Sequence, residues 1–234
     1  MTEPDSQQPP AAPPPELPGG QGNPWERRAS LGVLQGLIEA LKLFVTSPTE
    51  AFSQTIKSGD YGGPLLFAIA VGWVGILVGQ IWDMMVGASV LSMLPSELRS
   101  EVPFVLIGSG GLLMSLIFAP VMIIIGIFLW SAILHLCLVI VGGLDQSNAG
   151  FEGSFRVVSY GMVAQLANLV PFVGDLLVGT WSIILAIIGV QQIHKTAQGK
   201  AITAVLIPVV LCCVCVAMGL FMAGASLMAL FANQ

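Results

Sequence analysis

Beyond residue 60 the hydrophobic pattern divides into long apolar runs separated by short polar breaks. The runs fall at about residues 64–83, 111–141, 155–170, 176–193 and 203–231. Each is read as a membrane-spanning helix, because roughly 20 apolar residues at 1.5 Å rise cross about 30 Å of hydrocarbon. The second run lies inside a stretch from Pro103 to Gly143 with no Asp, Glu, Lys or Arg, which as one helix would measure about 60 Å and could hold either one span or two. Charge settles the count. With one span there, Arg27, Arg28, Lys42, Lys57, Arg156, Lys195 and Lys200 share one side and Arg99 stands alone on the other; with two, the split is even. The positive-inside rule therefore predicts one long helix kinked at Pro120, with 108–111 as a looser lead-in. It gives five spans, a cytoplasmic N-terminus and a non-cytoplasmic C-terminus.

Ahead of the spans the period changes. Asn23-Pro24-Trp25-Glu26 carries a cap, a proline suited to a first helical turn and an acidic third position. Leu31, Leu34, Ile38, Leu41 and Val45 then recur at helical spacing against Arg28, Gln35, Glu39 and Lys42. This predicts an amphipathic helix over residues 24–45, lying in the headgroup plane with Trp25 as its anchor. A second helix opens at Ser47-Pro48-Thr49-Glu50 and is expected to end near Ser58 and Gly59. The organisation is thus a disordered, Pro-rich cytoplasmic tail (1–22), interfacial helices (23–58) and a transmembrane domain (59–234), an all-α polytopic membrane bundle.

Within the bundle, Gly72, Gly75 and Gly79 offer a small face on the first span for close helix approach. Pro171 lacks an N–H and disfavours helix at the residue before it. The third span should therefore stop near Val170 and reverse into the fourth through a tight hairpin formed by Pro171, Gly174 and Asp175. That third span is short, which implies protein neighbours or a locally thinned bilayer.

Composition agrees with the pattern: 55% of residues are hydrophobic and 9% charged, and the mean hydropathy is +0.88. Too little polar surface remains to cover a soluble globule, so the chain is an integral membrane protein. A formal charge of −5 with no basic run excludes nucleic acid as a partner. Cys137, Cys212, Cys213 and Cys215 all sit in apolar runs and read as packing residues, not as a disulfide framework or metal site. No metal and no cofactor are implied.

The candidate chemistry is sparse. Arg156 begins an apolar run and should sit at the cytoplasmic mouth, since a guanidinium at a bilayer centre costs several kcal/mol. Tyr160 lies one turn deeper, and His135 descends to a similar depth on the second span. Together His135, Arg156 and Tyr160 form a candidate polar junction between spans. Signatures of intramembrane proteases fail: Phe172 precedes Val173-Gly174-Asp175 where an aspartyl motif needs glycine, and Leu106-Ile107-Gly108-Ser109-Gly110 lacks the rhomboid pattern. Nor is there a metalloprotease or phosphate-binding motif. The chain is read as no enzyme, with no catalytic residue.

Several fragments carry a family resemblance in their order and spacing. They are Ser47-Pro48, Gly63-Pro64-Leu65-Leu66-Phe67, Ile133-Leu134-His135-Leu136, Gly142-Gly143 and Phe155-Arg156-Val157-Val158-Ser159-Tyr160, then Pro171-Phe172-Val173-Gly174, Trp181 and Lys200-Ala201. Over roughly residues 24–234 the chain resembles the Yip family, the Ypt/Rab-interacting multi-span membrane proteins, in a compact bacterial-type form. The resemblance implies a non-enzymatic membrane scaffold or interaction protein in membrane organisation or trafficking, placed in a bacterial inner (plasma) membrane. Its implied partners are the lipid bilayer and a membrane-protein or small-GTPase-like partner, with homo-oligomers left open. The residues by themselves leave a small-molecule or ion transporter or channel subunit as the alternative, given proline-broken helices and a short hairpin of the kind that lines cavities.

Overall fold

The computed structural model describes residues 22–93 and 109–232. The Pro-rich head expected to be disordered lies outside the described residues, apart from Gly22, as does most of the connection expected between the first two spans.

Three short helices come first: α1 (Arg28–Leu31), α2 (Val33–Thr46) and α3 (Pro48–Gln54). The expected reciprocal bonds form, but around a turn at 24–27 and not at a helix start, which comes only at Arg28: Asn23 Oδ1 accepts the N–H groups of Trp25 and Glu26 at 3.0 and 3.2 Å, and Asn23 N donates to Glu26 Oε2 at 3.0 Å. The single helix expected over 24–45 is instead broken at Gly32, whose φ of 92° is costly for any residue with a Cβ. The next helix ends at Gln54, short of Ser58, because Thr55 leaves the helical region and turns its hydroxyl back onto Ala51 O.

Packing of α2 is three-sided. Gly36, Ala40 and Phe44 are buried; Leu34 (70% exposed), Ile38 and Val45 face outward; Gln35, Glu39 and Lys42 make the polar remainder. Phe44 stacks on Tyr160 at 5.1 Å and 17°, and Phe52 of α3 meets Phe44 edge-on. Trp25 is also a core residue, with its ring against Phe67 and its indole N–H donating to Gly63 O at 2.7 Å. The expectation of a headgroup anchor there is corrected: a buried indole needs an acceptor, and the carbonyl in the first turn of the next helix supplies it.

Helix α4 (Gly62–Met93) starts where Asp60 accepts the N–H groups of Gly62 and Gly63. It runs ten residues past Asp83, the far end expected from sequence, since nothing from Met84 to Met93 breaks a helix. Helix α5 (Ser109–Ile140) contains Pro120 and is helical from Ser109, so the lead-in is shorter than expected. It ends in a left-handed Gly142 (φ 63°), with Gly143 N bonding Leu138 O and Gly142 N bonding Val139 O, which closes its last carbonyls.

The segment expected to be the third span is not one α-helix. It begins earlier, as α6 (Gly150–Gly161), and continues as a 3-10 helix, Met162–Leu169. At 2.0 Å rise per residue, eight 3-10 residues reach about 16 Å where an α-helix would reach about 12 Å. The two parts together extend about 34 Å. They are wrapped by protein: Phe155, Arg156, Val157, Ser159, Tyr160, Val163 and Ala164 are all buried. Helices α7 (Gly174–His194) and α8 (Gln198–Ala232) complete the fold.

Residue contacts orient the bundle. Against the α6/3-10 pair, α4 runs parallel and α7 antiparallel, with Trp82, Asn168 and Gly174 at one end and Gly63, Ser154 and His194 at the other. A Cβ on Gly75 would run into the Gln165 carbonyl oxygen, so only glycine admits the 3-10 backbone this closely. Four of these helices are long and apolar enough to cross a membrane: Gly62–Ser89, Leu116–Ile140, Gly174–His194 and Gln198–Met222. The last packs through Ala201, Ala204 and Val205, and from Val210 to Met222 its side chains are exposed.

Candidate functional site

Arg156 is 3% exposed, yet it is a permanent cation. Its position on α6 puts the guanidinium where α6, the N-terminal cap and the start of α4 converge. Nη1 donates to Glu26 Oε1 at 2.6 Å, Nη2 to Glu152 Oε1 at 2.7 Å and to Asp60 O at 2.8 Å, and Nε to Glu152 Oε1 at 3.3 Å. Glu152 is one helical turn before Arg156 and also accepts Asp60 N at 2.9 Å.

Glu26 is the centre of the site. Its Oε1 accepts from Arg156 and from the Tyr160 hydroxyl at 3.0 Å; its Oε2 accepts Asn23 N and Ile56 N, each at 3.0 Å. Four donors and no acceptor address this carboxylate, which is the arrangement of an ionised group. Burial nonetheless pushes its pKa above the ordinary 4.5, with the Ile56 and Asn23 N–H groups, Arg156 and Tyr160 opposing the rise. Asp60 moves the other way: the Gly63 and Gly62 N–H groups hold it below 3.8.

Of the three residues expected to form one junction, the structure brings Arg156 and Tyr160 together through Glu26 and leaves His135 on a separate network. His135 Nδ1 lies 3.0 Å from Ser154 Oγ, and its ring is edge-on to Phe151. Glu26 was legible only as a capping residue, and its long-range role has no sequence signal. Glu152 stands one turn from Arg156, a spacing that does signal an ion pair. Ser154 and His194, which tie into the His135 network, carried no signal of their own.

At the opposite end the chain reverses as follows. Val170, before Pro171, is extended; Phe172 adopts a left-handed φ of 67°; Val173 N bonds Pro171 O at 2.8 Å; Gly174 then opens α7. A Cβ on Gly174 would lie 2.9 Å from Asn168 Cα. Asp175 in the first turn of α7 complements the helix dipole. With Asp83, Trp82 and Asn168 it borders a cavity of about 360 Å³. A larger apolar cavity, about 480 Å³, lies between α4, α5 and the α6/3-10 pair. Among the described residues no three His, Cys, Asp or Glu are grouped to hold a metal ion, and the four cysteines are unpaired.

Long apolar helices around a polar knot at one end define an integral membrane protein of the helix-bundle class. The chain belongs to the Yip family: the Yip1 domain matches residues 41–220, from α2 to α8, and so includes Arg156 and Tyr160 but not Glu26. No curated protein and no solved structure matches it.

Proposed function

We propose that this protein is a non-enzymatic membrane scaffold. In this reading the chain crosses a bacterial inner membrane five times, with its N-terminus in the cytoplasm and its C-terminus outside, and its N-terminal helices lie along the cytoplasmic surface. The observation that carries the reading is the three-sided packing of α2. One face is locked into the bundle by Phe44, a second offers Leu34, Ile38 and Val45 to lipid, and a third offers Gln35, Glu39 and Lys42 to water. Such a helix is held by protein and lipid together, entering the bundle from the cytoplasmic side with Phe44 packed about halfway along the α6/3-10 pair, and it displays a polar strip to water. That strip is where a membrane-protein or small-GTPase-like partner would dock in organising or trafficking membrane.

The fifth crossing of this reading is the α6/3-10 pair, counted beside the four long apolar helices, and its length of about 34 Å, enough to cross the hydrocarbon core, supports counting it. Single cysteines in a background without the native four test this. Asp60→Cys is labelled from the cytoplasmic side and Phe172→Cys, on the 85% exposed hairpin residue, from the other. Labelling of both from one side refutes the topology. Spin labels on α2 test the interface: positions 34, 38 and 45 are expected to collide with oxygen and positions 35, 39 and 42 with an aqueous relaxation agent. Equal access at all six refutes it.

A further inference from the structure

Both histidines of the chain stand in a single line of hydrogen bonds. Ser147 Oγ lies 2.7 Å from His194 Nδ1, His194 Nε2 lies 3.1 Å from Ser154 Oγ, and Ser154 Oγ lies 3.0 Å from His135 Nδ1. The line starts in the loop after α5, where Ser147 also accepts Ala149 N at 3.2 Å. It passes the last residue of α7, then α6, and ends on α5. Ser154 and His194 are fully buried.

With His194 neutral, two proton arrangements satisfy this line. In one, Ser147 donates to His194 Nδ1, His194 Nε2–H donates to Ser154, and Ser154 donates to His135 Nδ1. In the other, every donor and acceptor is reversed. Both keep the fully buried His194 ring neutral with one N–H; as an imidazolium it could still donate to both serines, so a second proton acts on the line through the charge it brings and not through a lost acceptor. An added proton would charge one ring, and the surroundings do not compensate it. Lys57, from the segment after α3, and His135, from α5, are the titratable groups that act on His194. On α6, Glu152 and Arg156 are bonded to each other and to the Glu26 and Asp60 side of the helix. In the loop, Asp145 is paired with Lys200 at the start of α8. Among the described residues no carboxylate is hydrogen-bonded to either ring.

We propose that the Ser147–His194–Ser154–His135 line is a proton-sensitive clasp. While neutral it ties the ends of α5, α6 and α7 and the 141–149 loop together; when His194 takes a second proton, the uncompensated buried charge parts the loop and the α7 end from α6. The clasp stands independently of the scaffold reading, since it needs only this geometry. With an ordinary histidine value of about 6.5 in the opened form, each pH unit below that multiplies the opened population about tenfold.

Hydrogen–deuterium exchange on the full chain in nanodiscs, corrected for the intrinsic pH dependence of amide exchange, tests this. Between pH 7.5 and 5.5, opening of residues 141–149 and 190–196 in the wild type is expected to rise about tenfold. His194→Gln should remove that rise. Ser147→Ala, a small truncation at the loop end, should leave the loop already more open at pH 7.5 and flatten its pH dependence. A wild-type loop equally protected at both pH values overturns the proposal whatever the variants do. So does an undiminished rise in His194→Gln, or Ser147→Ala protection equal to wild type at pH 7.5.

Discussion

Glu26 and Arg156 are 130 residues apart and meet at 2.6 Å, both almost wholly removed from solvent. The pair joins a capping turn of the N-terminal helices to the middle of α6. Tyr160, one turn further along α6, bonds the same carboxylate oxygen and stacks on Phe44 of α2. Polar and aromatic contacts thus secure one connection between the N-terminal helices and the bundle.

Arg156→Gln leaves Glu26 buried without its cation, and breaking a buried pair in this way costs about 3–5 kcal/mol. Removing both partners, with Glu26→Gln added, should cost less than the sum of the single changes. Because the folded-state pKa of Glu26 is raised, its contribution to stability is present below pH 4.5 and lost as pH rises through the raised value. Arg156→Gln is therefore expected to recover stability on acidification from pH 7 towards 4.5. Thermal unfolding in detergent reads all three outcomes, and additive single changes would show that the pair is uncoupled.

Asp60→Ala removes the cap of α4 and should cost about 0.5–1 kcal/mol, at the low end for capping residues because Asp60 is exposed. The carboxyl is held below 3.8 in the fold, so its contribution is present above pH 3.8 and lost as pH falls through the lowered value. Wild type and variant should then converge in stability below that range. A gap that persists there would assign the effect to something other than the carboxylate.

Gly75→Ala drives a methyl group into the Gln165 carbonyl oxygen and should cost about 1–3 kcal/mol by forcing α4 away from the 3-10 helix. Gly126→Ala on α5 is the matched control, because nothing lies within 4 Å of its added Cβ. Its unfolding temperature should stay at or slightly above that of wild type, since alanine is the better helix former. Equal losses at the two sites would contradict the close approach at Gly75.

His135→Ala and Tyr160→Phe should be additive to within about 0.5 kcal/mol, because the two side chains belong to different hydrogen-bond networks. His135→Ala and Ser154→Ala, which share a bond, should not be additive. A double-mutant cycle on unfolding temperature distinguishes the two cases. Strong coupling between His135 and Tyr160 would unite the networks.

The sequence by itself determined the apolar helices, the reciprocal Asn23–Glu26 bonds, the hairpin after Val170 and the presence of Arg156 at the head of an apolar stretch. These features rest on contacts within a few residues or on the bulk preference of apolar side chains for lipid, and both are written locally. Tertiary structure alone decided that Trp25 is a core residue and not an anchor, and that α2 buries one apolar face while leaving another exposed. It also decided that His194 completes a line with His135. The split of α6 from its 3-10 continuation belongs here too: its tight curl is met by Gly75, Gly79 and Trp82 of α4. The Glu26–Arg156 pair is the clearest case. A carboxylate that reads locally as a helix cap becomes the partner of a distant guanidinium only because α2, α4 and α6 pack around one aromatic core, and no period or spacing along the chain encodes which surfaces those will be.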